Sequence, residues 1–369
     1  MSAGARIDSR AYGQLPDGRT VREYTLSNAA GLSLSAINLG GIVTRLYVPD
    51  RQGAMGNVVL GLPGLSDYLA DHPHFGTIVG RYGNRIAQGR FRIAGEAYQI
   101  DTNDGPHALH GGAQGFGRQW WDIEALPPLP DGSVAIDLTL ASPDGDQGFP
   151  GRLDVRVRYT LTSCNAYRID YQARTDRPTV VNLSHHDYFN LNGGGNALGH
   201  RLQIAASQYC PVDSGLIPEG VAAVAGTPFD FQLPTVIEQR IRTGHDQLIL
   251  ARGYDHNWVL GPTEGLRFAA RLEEPVSGRS MDIETTEPGL QFYSGNFLDG
   301  SHRDASGRAI RQGDGLCLET QHFPDAPNRS AFPSTLLQPG ETFTSTTVHR
   351  FGVLPTVDDP SDDHQKYCR

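Results

Sequence analysis

A chain of 369 residues is long enough for one very large domain or two ordinary ones. Apolar residues at 38% and charged residues at 20% describe a globular chain, while 44 Gly and 24 Pro suggest many turns and argue against a helical bundle. The formal charge is -10, from 31 basic and 41 acidic residues, so a nucleic-acid surface has no electrostatic footprint and an uncharged or cationic small molecule fits better.

The N-terminus, Met1-Ser2-Ala3-Gly4-Ala5, has no apolar leader core, and no stretch approaches the length of a membrane span. A cytoplasmic protein is expected. Cys164, Cys210, Cys317 and Cys368 are widely separated and form no C-x-x-C, so reduced thiols are expected as well. Lys366 is the only lysine, which removes a Schiff-base enzyme and a Walker-type phosphate loop.

Helical periodicity is confined to short stretches, around Leu65 to Leu69 and Ile237 to Leu250. Period-two alternation dominates elsewhere. It is clearest in Val134, Ile136, Leu138, Leu140 and in Leu153, Val155, Val157, Tyr159, Leu161; the turn-rich run Asp144 to Gly151 between them makes the pair a long hairpin. Further strands are expected at Tyr167, Ile169, Tyr171, at Leu266, Phe268, Ala270, Leu272 and at Met281, Ile283, Thr285. Such spacing without alternating helices means antiparallel sheets, stacked or closed. No linker divides the chain, so residues 1–357 are read as one β domain and 358–369 as an acidic, frayed tail.

Five polar segments interrupt the alternation. In Gly80-Arg81-Tyr82-Gly83-Asn84-Arg85-Ile86 an arginine could donate to sugar hydroxyls or a carboxylate, or simply sit in a solvated turn. In Pro106-His107-Ala108-Leu109-His110-Gly111-Gly112 two histidines lie three apart, but no neighbouring Cys, Asp or Glu completes a metal-ligand set, so a histidine that hydrogen-bonds a ligand is preferred and no metal is expected. In Asn182-Leu183-Ser184-His185-His186-Asp187-Tyr188 adjacent strand residues face opposite ways, so one histidine should be functional and the other structural. Gly253 to Trp258 and Gly315 to Gln321 place Asp255 and Glu319 in apolar surroundings, where a carboxylate needs a partner or a task. Gln291 to Asn296 adds amides and aromatic faces suited to polyhydroxylated ligands. No G-x-S-x-G elbow or dinucleotide fingerprint is present.

Taken in order, these segments resemble the aldose 1-epimerase family over nearly the whole chain, together with Gly13-Gln14-Leu15-Pro16-Asp17-Gly18, Asn38-Leu39-Gly40-Gly41, Gly115-Phe116, Asp144 to Gly151 and Pro324-Asp325. The resemblance implies an all-β fold, a β-supersandwich of large antiparallel sheets with an open carbohydrate cleft. It implies Glu319 as catalytic base, His186 as acid, His110 as a second active-site histidine, and Asn84, Arg85, Asp255 and Gln291 as sugar-binding residues. No cofactor is implied. His185 and Asp187 depart from the family's usual Asn and Ser or Thr, which bears on the surroundings of His186.

The expected reaction interconverts the α and β anomers of free aldoses: a base takes the O1 proton, an acid protonates the ring oxygen, C1–C2 rotates and the ring recloses. Either the glutamate must be shifted upward by burial or the histidine upward by a carboxylate, for which Asp187 and Asp255 are candidates. The alternatives are a sugar-binding homologue without activity, a glycoside hydrolase using Glu319 with Asp255, and an epimerase of phosphorylated hexoses. The partner expected is a monosaccharide, with the protein a monomer or homodimer and no nucleic-acid or membrane contact.

Overall fold

A computed structural model describes residues 4–355. The expected tail at 358–369 lies outside them. Among the described residues the chain is built from antiparallel strands with three short α-helices of four to six residues, Leu65–Leu69, Glu238–Ile241 and Asp246–Ala251, inside or beside the stretches where helical periodicity is read.

The largest sheet has nine strands, running from Asp122–Ala125 through Val134–Ser142, Leu153–Leu161, Ala166–Thr175, Phe343–Val353, Arg279–Thr285, Arg267–Glu273 and Arg201–Ile204 to Thr235–Val236. The long hairpin is there in unbroken register, from Val134 opposite Leu161 to Ser142 opposite Leu153. Because directly opposed residues share a face, Ile136, Tyr159 and Ile169 form one inward row and Leu138, Val157 and Tyr171 the next. Most of these side chains are completely buried, each aliphatic one stabilising the fold by about 1.5–3 kcal/mol.

One strand departs from its alternation. A bulge between Phe268 and Ala270 leaves Leu266 and Phe268 facing solvent while Ala269, Ala270 and Leu272 are buried. The extra residue of a bulge reverses the inside–outside order, which pattern reading cannot see. The thiols of Cys210 and Cys317 are free and buried.

Two five-stranded sheets complete the framework. One joins Arg6–Gln14, Thr20–Ser27, Ser33–Ile37, Val43–Pro49 and Met55–Asn57; the other joins Ala222–Ala223, Gln208–Cys210, Asp255–Val259, Gly289–Tyr293 and Cys317–Gln321. Residues from all three sheets, including Leu34, Ile136, Trp258 and Phe292, belong to one hydrophobic core.

The sheet with Asp255 sets up the site through its register. Asn257 faces Gln291, which faces Glu319; one step along, Asp255 faces Tyr293, which faces Cys317. These six side chains share one face. The alternate positions Trp258, Leu290, Phe292 and Leu318 point into the core, so apolar burial on one side fixes which polar groups are presented on the other.

Candidate active site

A cavity of about 1040 Å³ opens above this polar face. Glu319 and Asp255 enter it from the two strands that flank Gly289–Tyr293 in the sheet, His186 from the short Ser184–His185 strand and its continuation, and Asn84, Arg85 and His110 from the two-stranded pair Arg85–Ile86 and Ala108–Leu109.

His185 and His186 divide as strand alternation requires. The strand is pinned by its pairing with Ile78–Val79 and by the His186 N–H donating to the Thr77 carbonyl at 3.0 Å. His186 faces the cavity, its Nε2 3.9 Å from Glu319 Oε1 and its Nδ1 3.5 Å from the Cys317 sulfur. Burial pushes that thiol well above its ordinary range, so it keeps its proton. His185 faces the opposite way: Nε2 lies 2.8 Å from the Tyr159 hydroxyl and Nδ1 2.9 Å from Asp187 Oδ2. Asp187 is thus engaged by the structural histidine, not by His186.

His110 sits beside His186 with ring centroids 5.1 Å apart, nearly perpendicular. The Asn84 N–H donates to His110 Nδ1 at 3.2 Å, which leaves the ring proton of the neutral imidazole on Nε2, the other nitrogen. Its backbone is left-handed, as are those of Asn84 and Gly111. At Gly111, φ is +85° and an added Cβ would run into the Gly80 carbonyl, so only glycine lets this turn close on the Gly80 segment.

Arg85 is held by two carboxylates: its Nε donates to Asp104 at 2.7 Å and its Nη1 lies 3.7 Å from Asp255. Asp255 also accepts from Gln291 Nε2 at 2.7 Å. Gln291 therefore reaches the site through Asp255 and is not among the residues lining the cavity, while its Oε1 has no hydrogen-bond partner among the described residues. Arg81 proves to be structural, buried and donating to Ser142 Oγ and to the Pro150 and Gly151 carbonyls. His107 lines the rim and accepts the Gln88 N–H.

Burial dominates the electrostatics. It raises Glu319 well above 4.5, with the Asp255 charge adding to the rise and Arg85 opposing it. It lowers His186 well below 6.5, assisted by His74. The upward shift of the carboxylate is the expected direction. An upward shift of the histidine is not found, and neither Asp187 nor Asp255 supplies it, because Asp187 pairs with His185 and Asp255 with Arg85 and Gln291.

His110, His186 and Glu319 each have a donor atom within 4.8 Å of the others. The sequence shows no third ligand near the His107/His110 pair, and folding brings one from residue 319. His110 has already spent its Nδ1 lone pair on Asn84, however, so His186 and Glu319 are the donors left free for a cation. Tyr293, from the run Gln291 to Asn296, lines the cavity, while sequence reading misses His74 and Tyr188 on its wall and Cys317 beneath His186. Cys317 was within reach, since it lies two residues before Glu319 on the same strand face.

Residues 22–350 match the family model described as aldose 1-epimerase. The chain is 41% identical to galactose mutarotase of Rattus norvegicus over 350 residues, 94% of this chain and 99% of that one. It is 36% identical to aldose 1-epimerase of Escherichia coli (strain K12), covering 91% and 96%. The crystal structure of galactose 1-epimerase from Lactobacillus acidophilus superimposes with a TM-score of 0.84 at 29% identity, covering 95% of this chain and all of that one. The fold is therefore the all-β sandwich of galactose mutarotases, and the chain belongs to the aldose 1-epimerase family. It is an isomerase that interconverts the anomers of aldoses.

Proposed function

We propose that Glu319 is the base and His186 the acid of this anomer exchange, with His110, Asn84, Arg85, Asp255 and, through Asp255, Gln291 holding the remaining hydroxyls of a free hexose such as glucose or galactose. The observation that carries the assignment is the 3.9 Å between His186 Nε2 and Glu319 Oε1 on the cavity wall. O1 and O5 are both bonded to C1, so the groups that exchange protons with them must stand a few ångströms apart.

The opposed shifts suit this work. A carboxylate raised by burial is a stronger base, and an imidazolium lowered by burial is a stronger acid. With Glu319 ionised and His186 protonated, moving one proton from O1 to Glu319 and another from His186 to O5 opens the ring. It leaves a neutral carboxyl beside a neutral imidazole, the arrangement the dry site favours. The open-chain aldehyde then turns about C1–C2, and reclosure returns both protons, now on the other face of C1. The pair must hold one proton: activity falls at low pH as both groups protonate and at high pH as the pair empties.

The cavity has room for the sugar to be gripped at one end while C1 is exchanged, and its carboxylates disfavour a phosphorylated substrate. No helix of the described residues is long and apolar enough to cross a membrane. We read the protein as a single β domain acting in the cytoplasm as a monomer or homodimer. In the test of the base, Glu319→Gln should retain D-galactose binding by calorimetry and lose most of the acceleration of mutarotation seen by polarimetry. Near-normal relaxation in the variant would reject the assignment.

A further inference from the structure

Beside His110 and His186 the cavity wall carries a further imidazole, close to both, to which the proton transfers give no task. His74 lies on the segment between the Leu65–Leu69 turn and the Ile78–Val79 strand, and lines the same cavity as His110, His186 and Glu319. Its ring packs edge-on against His110, centroids 4.6 Å apart at 65°, and lies 5.7 Å from the His186 ring at 41°. A ligand that touches both of those histidines is within reach of this one.

Three features separate His74 from an ordinary packing residue. Its backbone is left-handed, at φ +57°, a conformation that costs a non-glycine residue energy. The segment is tied down in that shape by its own backbone, through the His74 N–H donating to the His72 carbonyl at 2.8 Å and the His74 carbonyl accepting from both the N–H and the hydroxyl of Thr77 at 3.2 Å. Among the described residues its ring has no hydrogen-bond partner, unlike His72, His107, His110, His185, His186 and His256, whose rings all have one. A polar ring on a cavity wall, held in place and left unpaired, is equipped to meet a ligand.

We propose that His74 contacts a hydroxyl of the bound aldose and helps to determine which aldoses are accepted. Burial, with Arg118 opposing any added positive charge, lowers His74 to about 4, so at neutral pH the ring offers one N–H donor and one lone pair. That is the pair of functions a hydroxyl can use, whichever way its own hydrogen points. His74 is thus a specificity residue and not a proton carrier. The inference rests on the cavity being the aldose site.

Its test is a substrate–mutant cycle. Kinetics by polarimetry would use freshly dissolved α-D-glucose and its 2-, 3-, 4- and 6-deoxy analogues, with the wild type and with His74→Phe, which keeps an aromatic ring against His110 but removes its nitrogens. KM for glucose should rise about 3- to 10-fold, the worth of one hydrogen bond between uncharged groups. For the one analogue that lacks the contacted hydroxyl, the substitution should add no further rise. His74→Asn, whose short amide tolerates left-handed backbone, serves as a second variant that folds readily and falls short of the sugar; its KM should rise likewise. Unchanged KM in both variants, an equal rise for every analogue, or a loss confined to kcat with a displaced pH profile would each overturn the proposal. A normal rate in Glu319→Gln measured alongside would reject the base assignment instead, so the two failures are distinguishable.

Discussion

Asp255→Asn separates what a charge does for the base from what it does for the sugar. The substitution keeps the shape of the side chain and an oxygen to accept from Gln291, and it removes the attraction to Arg85 across 3.7 Å. At an effective dielectric constant of about 20 that attraction amounts to about 4 kcal/mol, but the carboxylate is buried and its pKa is raised, so desolvation consumes most of it. Arg85 retains Asp104 as a partner at 2.7 Å. Folding stability in urea should therefore change by only about 1 kcal/mol. Catalysis should change more. The Asp255 charge adds to the rise of Glu319, so without it Glu319 ionises at lower pH and becomes a weaker base. The alkaline limb of kcat/KM moves to lower pH, and kcat falls about 3- to 30-fold, a part of the 10²–10⁴ that a positioned base supplies. Replacing a charged acceptor of a sugar hydroxyl by a neutral one should raise KM about 5- to 10-fold. Polarimetric initial rates across pH would measure all three. An alkaline limb that stays in place or moves upward while kcat holds would refute the reasoning.

Two further outcomes test the scaffold. Gly111→Ala places a Cβ against the Gly80 carbonyl at φ +85° and should destabilise the fold by about 2–5 kcal/mol in urea titration while displacing His110; a loss under 1 kcal/mol would show the turn to be soft. His322 is pulled down by burial but raised on balance by Glu287, whose Oε2 lies 2.6 Å from its Nδ1. A histidine raised on folding contributes stability that is complete below its unfolded value of about 6.5 and is lost as pH rises through the folded value. The urea midpoint of the wild type should accordingly fall across that range relative to His322→Gln, and parallel midpoints would contradict the pairing.

Much of the fold is legible because burial on one face forces alternation. The hairpin Val134–Ser142 with Leu153–Leu161 is readable from its valines and leucines, and the same rule separates His185 from His186. What alternation cannot convey is a change of its own phase, as at the Phe268 bulge, or how separate strands line up. The row Asn257–Gln291–Glu319 comes from pairing between segments that sequence order does not relate. For the same reason the partner of each carboxylate is open in the sequence: either Asp187 or Asp255 could act on His186, and only the fold assigns one to His185 and the other to Arg85. The catalytic candidates Glu319 and His186 are legible only through resemblance in motif order. His74 and Cys317 carry no comparable pattern, since their placement depends on a left-handed turn and on a strand register.

Anomer exchange requires Glu319 and His186 to act as one unit on one sugar, and a double-mutant cycle measures that directly. Polarimetric kcat for Glu319→Gln, His186→Asn and the double variant should show each single substitution losing nearly as much as both together, because neither proton transfer is useful without the other. Losses that multiply, or a single variant that relaxes galactose at close to the wild-type rate, would contradict it.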